Sequence, residues 1–182
     1  MVISVGQVYS QNQEGISTDF IFIDTLEVGY YFVCNSDEYN NGNIDGLLRK
    51  YRSDDSVLVN TFEMKNGLRH GIATKLVDDS IVVQQAEFIQ GKLEGKVFGY
   101  YVNGAKSWEY SMSNGEIHGK YVYYYESGDT VRLETYSKGL LDGSYRSFRS
   151  KNKLRFEIVY EKGVVVKSTY YKRNGKIKLS TH

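Results

Sequence analysis

Asn114–Gly143 reads NGEIHGKYVYYYESGDTVRLETYSKGLLDG. It opens on Gly115-EIH-Gly119 and closes on Gly139-LLD-Gly143, the same five-residue figure 24 residues later. Working outward, Gly42-NID-Gly46, Gly67-LRH-Gly71 and Gly91-KLE-Gly95 precede it, and Gly163-VVV-Lys167 is a degenerate last copy. The first glycines step by 25, 24, 24, 24 and 24 residues. Chance does not keep such a register, and self-similarity at a fixed period marks a repeat architecture.

The repeat explains His118. Its counterparts at the same phase are Asp45, His70, Glu94 and Asp142, which describes a solvated polar turn position. As ligands or bases, His70 and His118 lack a third ligand and an orienting partner at that phase. After each figure the residues alternate: KYVYYY, the turn ESGD, then TVRLETY. In the preceding unit the same places hold KVFGYY, VNGA and KSWEYSM. Asn103-Gly104 predicts a two-residue hairpin turn with positive φ at both central residues. No helical stripe persists. Each unit therefore reads as strand, tight turn, strand, glycine turn.

Two columns predict packing positions. Tyr51, Leu76, Tyr100, Tyr124 and Phe148 stand nine residues after each first glycine. Met64, Phe88, Met112, Tyr136 and Tyr160 stand three before the next. All are large and apolar or aromatic, as cross-strand ladders on a sheet face require. The column holding Gln84, Trp108, Arg132 and Phe156 varies freely. The expected fold is all-β: an elongated, twisted antiparallel sheet of stacked hairpins, in which each unit buries its faces against the next. Residues 41–182 hold five to six units. Residues 1–40 fall outside the phase. There SVGQVYS, TDFIFIDTLEV and GYYFVC read as the strands of an N-terminal β cap or a degenerate repeat.

Composition narrows the chemistry. The 182 residues include 17 Tyr, 18 Gly, no Pro and one Cys. A single Cys34 excludes an intramolecular disulfide framework, and it reads as a small buried hydrophobe. No apolar run is long enough for a membrane helix, and the N-terminus lacks a basic region before an apolar core. With no signal as written, a cytoplasmic location is expected. There is no nucleophile elbow, phosphate loop or metal-ligand spacing, so no enzyme, cofactor or metal is expected. Asp54-Asp55 and Asp78-Asp79 sit where hairpin turns are predicted and read as turn formers.

Gly115-EIH-Gly119, Tyr124, Gly128 and Tyr136-Ser-Lys-Gly139 resemble MORN-type repeats, in the bacterial variant similar to YwqK-family antitoxins. Gly91-KLE-Gly95 with Tyr100, Asn103-Gly104 and Met112 resembles it nearly as well. The resemblance covers about residues 41–178 and is weaker before residue 91, where acidic turns replace Asn-Gly. It implies a β-hairpin array used for binding, with no catalytic residues. For the bacterial variant it implies an antitoxin or immunity protein that occludes a cognate toxin. Other MORN proteins imply the alternative: a scaffold or self-association module, homodimeric or membrane-proximal.

Charge is uneven along the chain. Residues 1–60 hold nine acidic and three basic side chains, residues 131–182 four and thirteen. An acidic end with Asp54 and Asp55 would suit a basic toxin cleft. Arg146, Arg149, Lys151, Lys153 and Arg155 interleave with Phe148 and Phe156 as single-strand binders do. Phe148 belongs to a packing column, however, and nucleic acid is not the favoured partner. If Tyr124 faces the core, alternation turns Tyr121, Tyr123 and Tyr125 the other way, with Tyr101 and Tyr145 in flanking units. Contiguous tyrosines are frequent interface anchors. These five, with Trp108, Asp54 and Asp55, are the expected partner-binding residues. The expected partner is a protein, not a small-molecule substrate.

Overall fold

A computed structural model describes residues 4–9, 20–24, 30–35, 39–40, 43–149 and 152–181. Of the residues singled out above, Gly42, Lys151 and, in the N-terminal stretches read as strands, residues 10, 18–19 and 25–29 lie outside them. The described residues form strands, turns and loops, with no helix. Two compact units are formed, residues 1–92 and 93–182.

The first unit holds β1 (Ser4–Tyr9), β2 (Phe20–Asp24), β3 (Tyr30–Asn35), β4 (Tyr39–Asn40), β5 (Asn43–Ile44), β6 (Gly46–Arg52), β7 (Leu58–Lys65), β8 (Leu68–Val77) and β9 (Ile81–Ile89). Its sheet runs β1-β2-β3-β6-β7-β8-β9, each strand antiparallel to the last, while β4 pairs with β5 apart from it. The strands read from residues 4–35 thus continue the repeat meander. The second unit holds β10 (Lys92–Tyr100), β11 (Lys106–Ser113), β12 (Glu116–Ile117), β13 (Gly119–Tyr124), β14 (Thr130–Ser137), β15 (Leu140–Arg149), β16 (Lys153–Glu161), β17 (Val164–Tyr171) and β18 (Ile177–Thr181). They pair antiparallel in chain order, with β12 on β11 beside β13.

The glycine figure is a turn joined to a bulge. The first glycine closes a two-residue turn with positive φ at both positions: Asn66-Gly67 (51°, 71°), Gln90-Gly91 (49°, 80°), Asn114-Gly115 (54°, 81°), Lys138-Gly139 (50°, 75°) and Lys162-Gly163 (47°, 84°). Such primed turns match strand twist. The second glycine also has positive φ, from 81° at Gly119 to 131° at Gly46. It lies where the ladder breaks register: between Arg69 and Ala73 opposite Phe62–Met64, and between Leu141 and Tyr145 opposite Glu134–Tyr136. Any side chain there meets the cost of the left-handed region, about 1–2 kcal/mol.

Asn103-Gly104 forms a different turn from the one expected. Only Gly104 has positive φ, 83°. The loop is Val102-Asn103-Gly104, closed by Gly104 N–H on the Tyr101 carbonyl (2.9 Å) and Tyr101 N–H on the Ala105 carbonyl (2.8 Å). Asn103 accepts the Ala105 N–H at 3.0 Å, holding the tighter first half. The same bonds recur at Tyr125–Asp129 and Lys172–Lys176. An Asn-Gly pair serves either turn. The three-residue form matches the register shift that follows each such loop, at Gly99/Tyr100, Tyr123/Tyr124 and Tyr170/Tyr171.

The polar position before the second glycine links one repeat to the next. Its side chain accepts the N–H of the following primed turn: Asp45 from Asn66, His70 from Gln90 (3.5 Å), Glu94 from Asn114 (2.8 Å), Asp142 from Lys162 (3.4 Å). One residue earlier, the carbonyls of Ile44, Arg69, Ile117 and Leu141 accept the N–H of Gly67, Gly91, Gly139 and Gly163 at 2.7–3.1 Å.

The two packing columns lie on opposite faces. Met112 shares its face with Tyr110 and Trp108, whereas Tyr124 alternates away from Tyr123. Every member of both columns is half-buried. Among the described residues the buried apolar ones are Phe32, Val33, Cys34, Ile44, Phe62, Ala86 and Val97, of which Cys34, Ile44 and Val97 are fully buried. Cys34 is a core residue as expected, packed with Phe32, Ile44 and Phe62. A sheet whose faces are covered mainly by their own side chains buries by lateral contact, which leaves large residues partly open.

Candidate binding face

Alternation along β10–β18 sorts one face of the second unit into two cross-strand rows. The first runs Gly99, Trp108, Tyr123, Arg132, Ser147, Phe156, Tyr170, Leu179. The second pairs Val97 with Tyr110, then Tyr121, Glu134, Tyr145, Ile158, Ser168 and Thr181. The rings touch. Trp108 stacks on Tyr110 with centroids 5.6 Å apart, Tyr110 meets Tyr121 at 4.7 Å, and Tyr121 stacks on Tyr123 at 4.4 Å and 9°. Further along, Tyr145 stacks on Phe156 at 5.8 Å, and Phe156 meets Tyr170 at 5.8 Å. Near-parallel rings 4.4 Å apart are stacked, so Tyr121 and Tyr123 each cover one face of the other.

Arg132 and Glu134 join the two ring groups. The Arg132 guanidinium lies 3.9 Å from the Tyr123 ring centre and 5.8 Å from that of Tyr145. Its Nε is 2.9 Å from Glu134 Oε1. The Tyr136 hydroxyl donates to Glu134 Oε2 at 2.8 Å. Burial opposes charge on Arg132, but Glu134 and hydrogen bonding with Tyr123 and Tyr145 hold its pKa above the ordinary value. The Tyr136 hydroxyl is pushed up to about 12 by burial and by its bond to the Glu134 carboxylate. Tyr121 is raised by burial, by Tyr123 and by the charge of Glu134. These phenols stay protonated donors at neutral pH.

Tyr124 lies on the opposite face, where its hydroxyl donates to Glu109. Lys106 Nζ is 2.7 Å from the same carboxylate and lies over the Phe98 ring. Burial would raise the Glu109 pKa, but the bonds from Lys106 and Tyr124 and the Lys106 charge bring it below the carboxylate norm.

Of the residues expected from sequence, Trp108, Tyr121, Tyr123 and Tyr145 share the face. Tyr101 and Tyr125 make no ring contact with them among the described residues. The Tyr101 hydroxyl donates to the Tyr124 carbonyl at 2.7 Å, fastening one loop to the next strand. Tyr125 begins the 126–128 loop. Asp54 and Asp55 belong to the first unit, where Arg52 pairs with them at 3.5 and 3.0 Å, and Asp55 accepts the Val57 N–H at 3.2 Å. They shape the loop, as expected of turn formers. Asp78 and Asp79 do the same, with φ of 52° and 62°. Tyr110, Arg132, Glu134, Phe156 and Tyr170 were not anticipated. The signal for them was parity: they share phase or alternation with Trp108, in columns that looked freely variable.

In the first unit the same phases hold Lys50, Asn60, Lys75 and Gln84 in one row and Leu48, Phe62, Ala73 and Ala86 in the other. One ring stands there against seven in the second unit's rows. Near Asp45, Glu63 and His70, the side-chain acceptors are taken by the Asn66, Ile72 and Gln90 N–H groups. Among the described residues no cluster of three or more His, Cys, Asp or Glu is disposed to hold a metal. No known protein family matches the chain, and no curated protein is significantly similar to it.

Proposed function

We propose that the chain is a non-catalytic binding protein that holds a protein partner on the aromatic face of its second unit. One observation carries this reading. At matched positions the first unit builds its ladder with Leu48, Ala73, Ala86, Lys50 and Asn60, whereas the second uses Tyr121, Tyr145, Tyr110, Tyr123 and Trp108. Folding does not require the rings, since the same ladder forms without them. Half-buried Trp, Tyr and Arg side chains, rich in contact area and limited in rotamer entropy, are what protein interfaces concentrate.

The resemblance to YwqK-type repeats extends the proposal: the partner is a toxin, neutralised by occlusion in the cytoplasm. The alternative is a scaffold in which a second copy covers the face. Affinity capture from the native host, with mass spectrometry of the bound material, tests both. The expected result is one stoichiometric partner, lost when Trp108→Ala and Tyr145→Ala are combined. A partner that is toxic when expressed alone supports neutralisation. Capture that the double substitution leaves unchanged sinks the proposed face. Recovery of the chain itself in place of a second protein moves the reading to the scaffold.

A further inference from the structure

The ring contacts and charges of the face say what chemistry a partner must bring. Arg132 and Glu134 form an ion pair that is oriented: the Arg132 side chain is 34% exposed and that of Glu134 only 7%. The Arg132 side chain thus keeps part of its surface in solvent although its Nε is buried against Glu134, while the Glu134 carboxylate is buried and accepts from Tyr136. The guanidinium is held between Tyr123 and Tyr145, so it is ordered before a partner arrives. A rigid guanidinium within a rim of rings matches a carboxylate in two-point contact, in surroundings of low dielectric where that contact is strong. The long-range field agrees in sign. Residues 93–182 carry sixteen Lys and Arg against nine Asp and Glu, a net +7.

On this face we infer a docking site for an acidic polypeptide segment that places a carboxylate on Arg132, with its own apolar or aromatic side chains against Trp108, Tyr121 and Tyr145. Single-stranded nucleic acid is the other polyanion to weigh. It needs open ring faces for its bases. Here Tyr121 and Tyr123 cover each other at 4.4 Å, and Tyr145 and Phe156 lie parallel at 5.8 Å. Rings that already cover one another around a single guanidinium favour a carboxylate-bearing chain over stacked bases.

The inference rests on the proposed binding function, and the test separates the two. Trp108 is the sole tryptophan and sits in the face, so its emission reports occupancy. The full chain is titrated with a random glutamate–tyrosine copolymer, a lysine–tyrosine copolymer and oligothymidylate. Salt is set at about 0.05 M and about 0.3 M, on either side of physiological screening. The expected result is a saturable change with the acidic copolymer alone, weaker at high salt. Arg132→Gln should weaken it roughly tenfold, and Arg132→Lys should recover only part, lacking the planar fork. Thermal unfolding by circular dichroism checks that each variant folds. If Arg132→Gln does not fold, Lys172→Glu with Arg173→Glu, both exposed in the last loop, tests the field alone. That pair should weaken binding at low salt and leave it unchanged at high salt. No response to the acidic copolymer overturns the inference, as does an equal response in Arg132→Gln. An equal or stronger response to oligothymidylate overturns it in favour of nucleic acid. If the copolymer fails while host capture still depends on Trp108 and Tyr145, the binding function stands and only the acidic chemistry falls.

Discussion

Gly99 faces Trp108 across β10 and β11, and its glycine identity is dictated by the indole rather than by backbone conformation. A Cβ built there would lie 2.1 Å from Trp108 Cε2, 2.3 Å from Nε1 and 2.6 Å from Cζ2. Ordinary carbon contact is about 3.5–4.0 Å, so the ring must retreat by roughly 1.5 Å. Its stack on Tyr110 at 5.6 Å and its contact with Tyr121 at 6.2 Å then loosen. Overpacking of this kind costs about 1–3 kcal/mol. Against it, alanine restricts the unfolded chain and returns about 0.4–1 kcal/mol. Gly99→Ala should therefore destabilise the protein by about 1–2 kcal/mol, net of those two effects. In a Trp108→Ser background the obstruction is gone and only the entropic gain remains, so the same substitution should stabilise by about 0.5 kcal/mol. Urea unfolding by far-ultraviolet circular dichroism measures all four corners of the cycle. Trp108 emission in Gly99→Ala should also shift to the red. If Gly99→Ala has the same sign and size in both backgrounds, the indole does not rest on Gly99, and the ordering of the face described here is wrong.

Other outcomes follow from the same contacts. Glu94→Ala removes the acceptor of the Asn114 N–H (2.8 Å) and should cost about 1 kcal/mol, with Glu94→Asp recovering part, as thermal unfolding would show. Glu134→Ile alone strands the Arg132 charge among rings and should cost about 2–3 kcal/mol. Arg132→Phe with Glu134→Ile, which copies Phe156 and Ile158 at the same phase, should return stability to within about 1 kcal/mol of the parent. Tyr124 and Tyr136 are each pushed up to about 12, by burial first and then by their bonds to Glu109 and Glu134. Between about pH 10 and 12 the unfolded chain has lost those protons and the folded chain keeps them, so stability present below pH 10 falls across that window. Tyr124→Phe should flatten the decline, read as the melting midpoint stepped through alkaline pH.

The repeat, its strands and its turns were legible because each is written in local chemistry. Glycines mark positive φ at Gly67, Gly91 and Gly115, and alternation marks β13 and β14. What escaped was whatever depends on the partner strand. Asn103-Gly104 reads the same for two turn types, and only the register after Gly99 decides between them. The polar position held by Asp45, His70, Glu94 and Asp142 looked solvated. Its members share the ability to accept a hydrogen bond, and the donor lies 20 or 21 residues on. Trp108, Tyr121, Tyr123 and Tyr145 were legible as one face by parity. Arg132 and Glu134 were not, because their charges suggested solvent; Glu134 is 5% exposed as a residue only because Arg132 and Tyr136 satisfy it.

Those same backbone devices explain why the face could diverge. Primed turns, glycine bulges and the acceptors Asp45, His70, Glu94 and Asp142 supply the register, and none uses a side chain from the two rows. Phe62, Ala86, Tyr110, Glu134 and Ile158 therefore occupy one phase with no change in the strand order around them. Of these, Phe62, Ala86 and Glu134 are buried and Tyr110 and Ile158 half-buried, so the phase takes apolar, aromatic and charged side chains alike while the strand order stays the same. The second unit fills its rows with rings on five strands, β11, β13, β15, β16 and β17, interrupted by β14 with its ion pair. Those rings, partly open to solvent at positions where other repeats carry Leu, Ala, Lys or Asn, form the face proposed above to hold a partner.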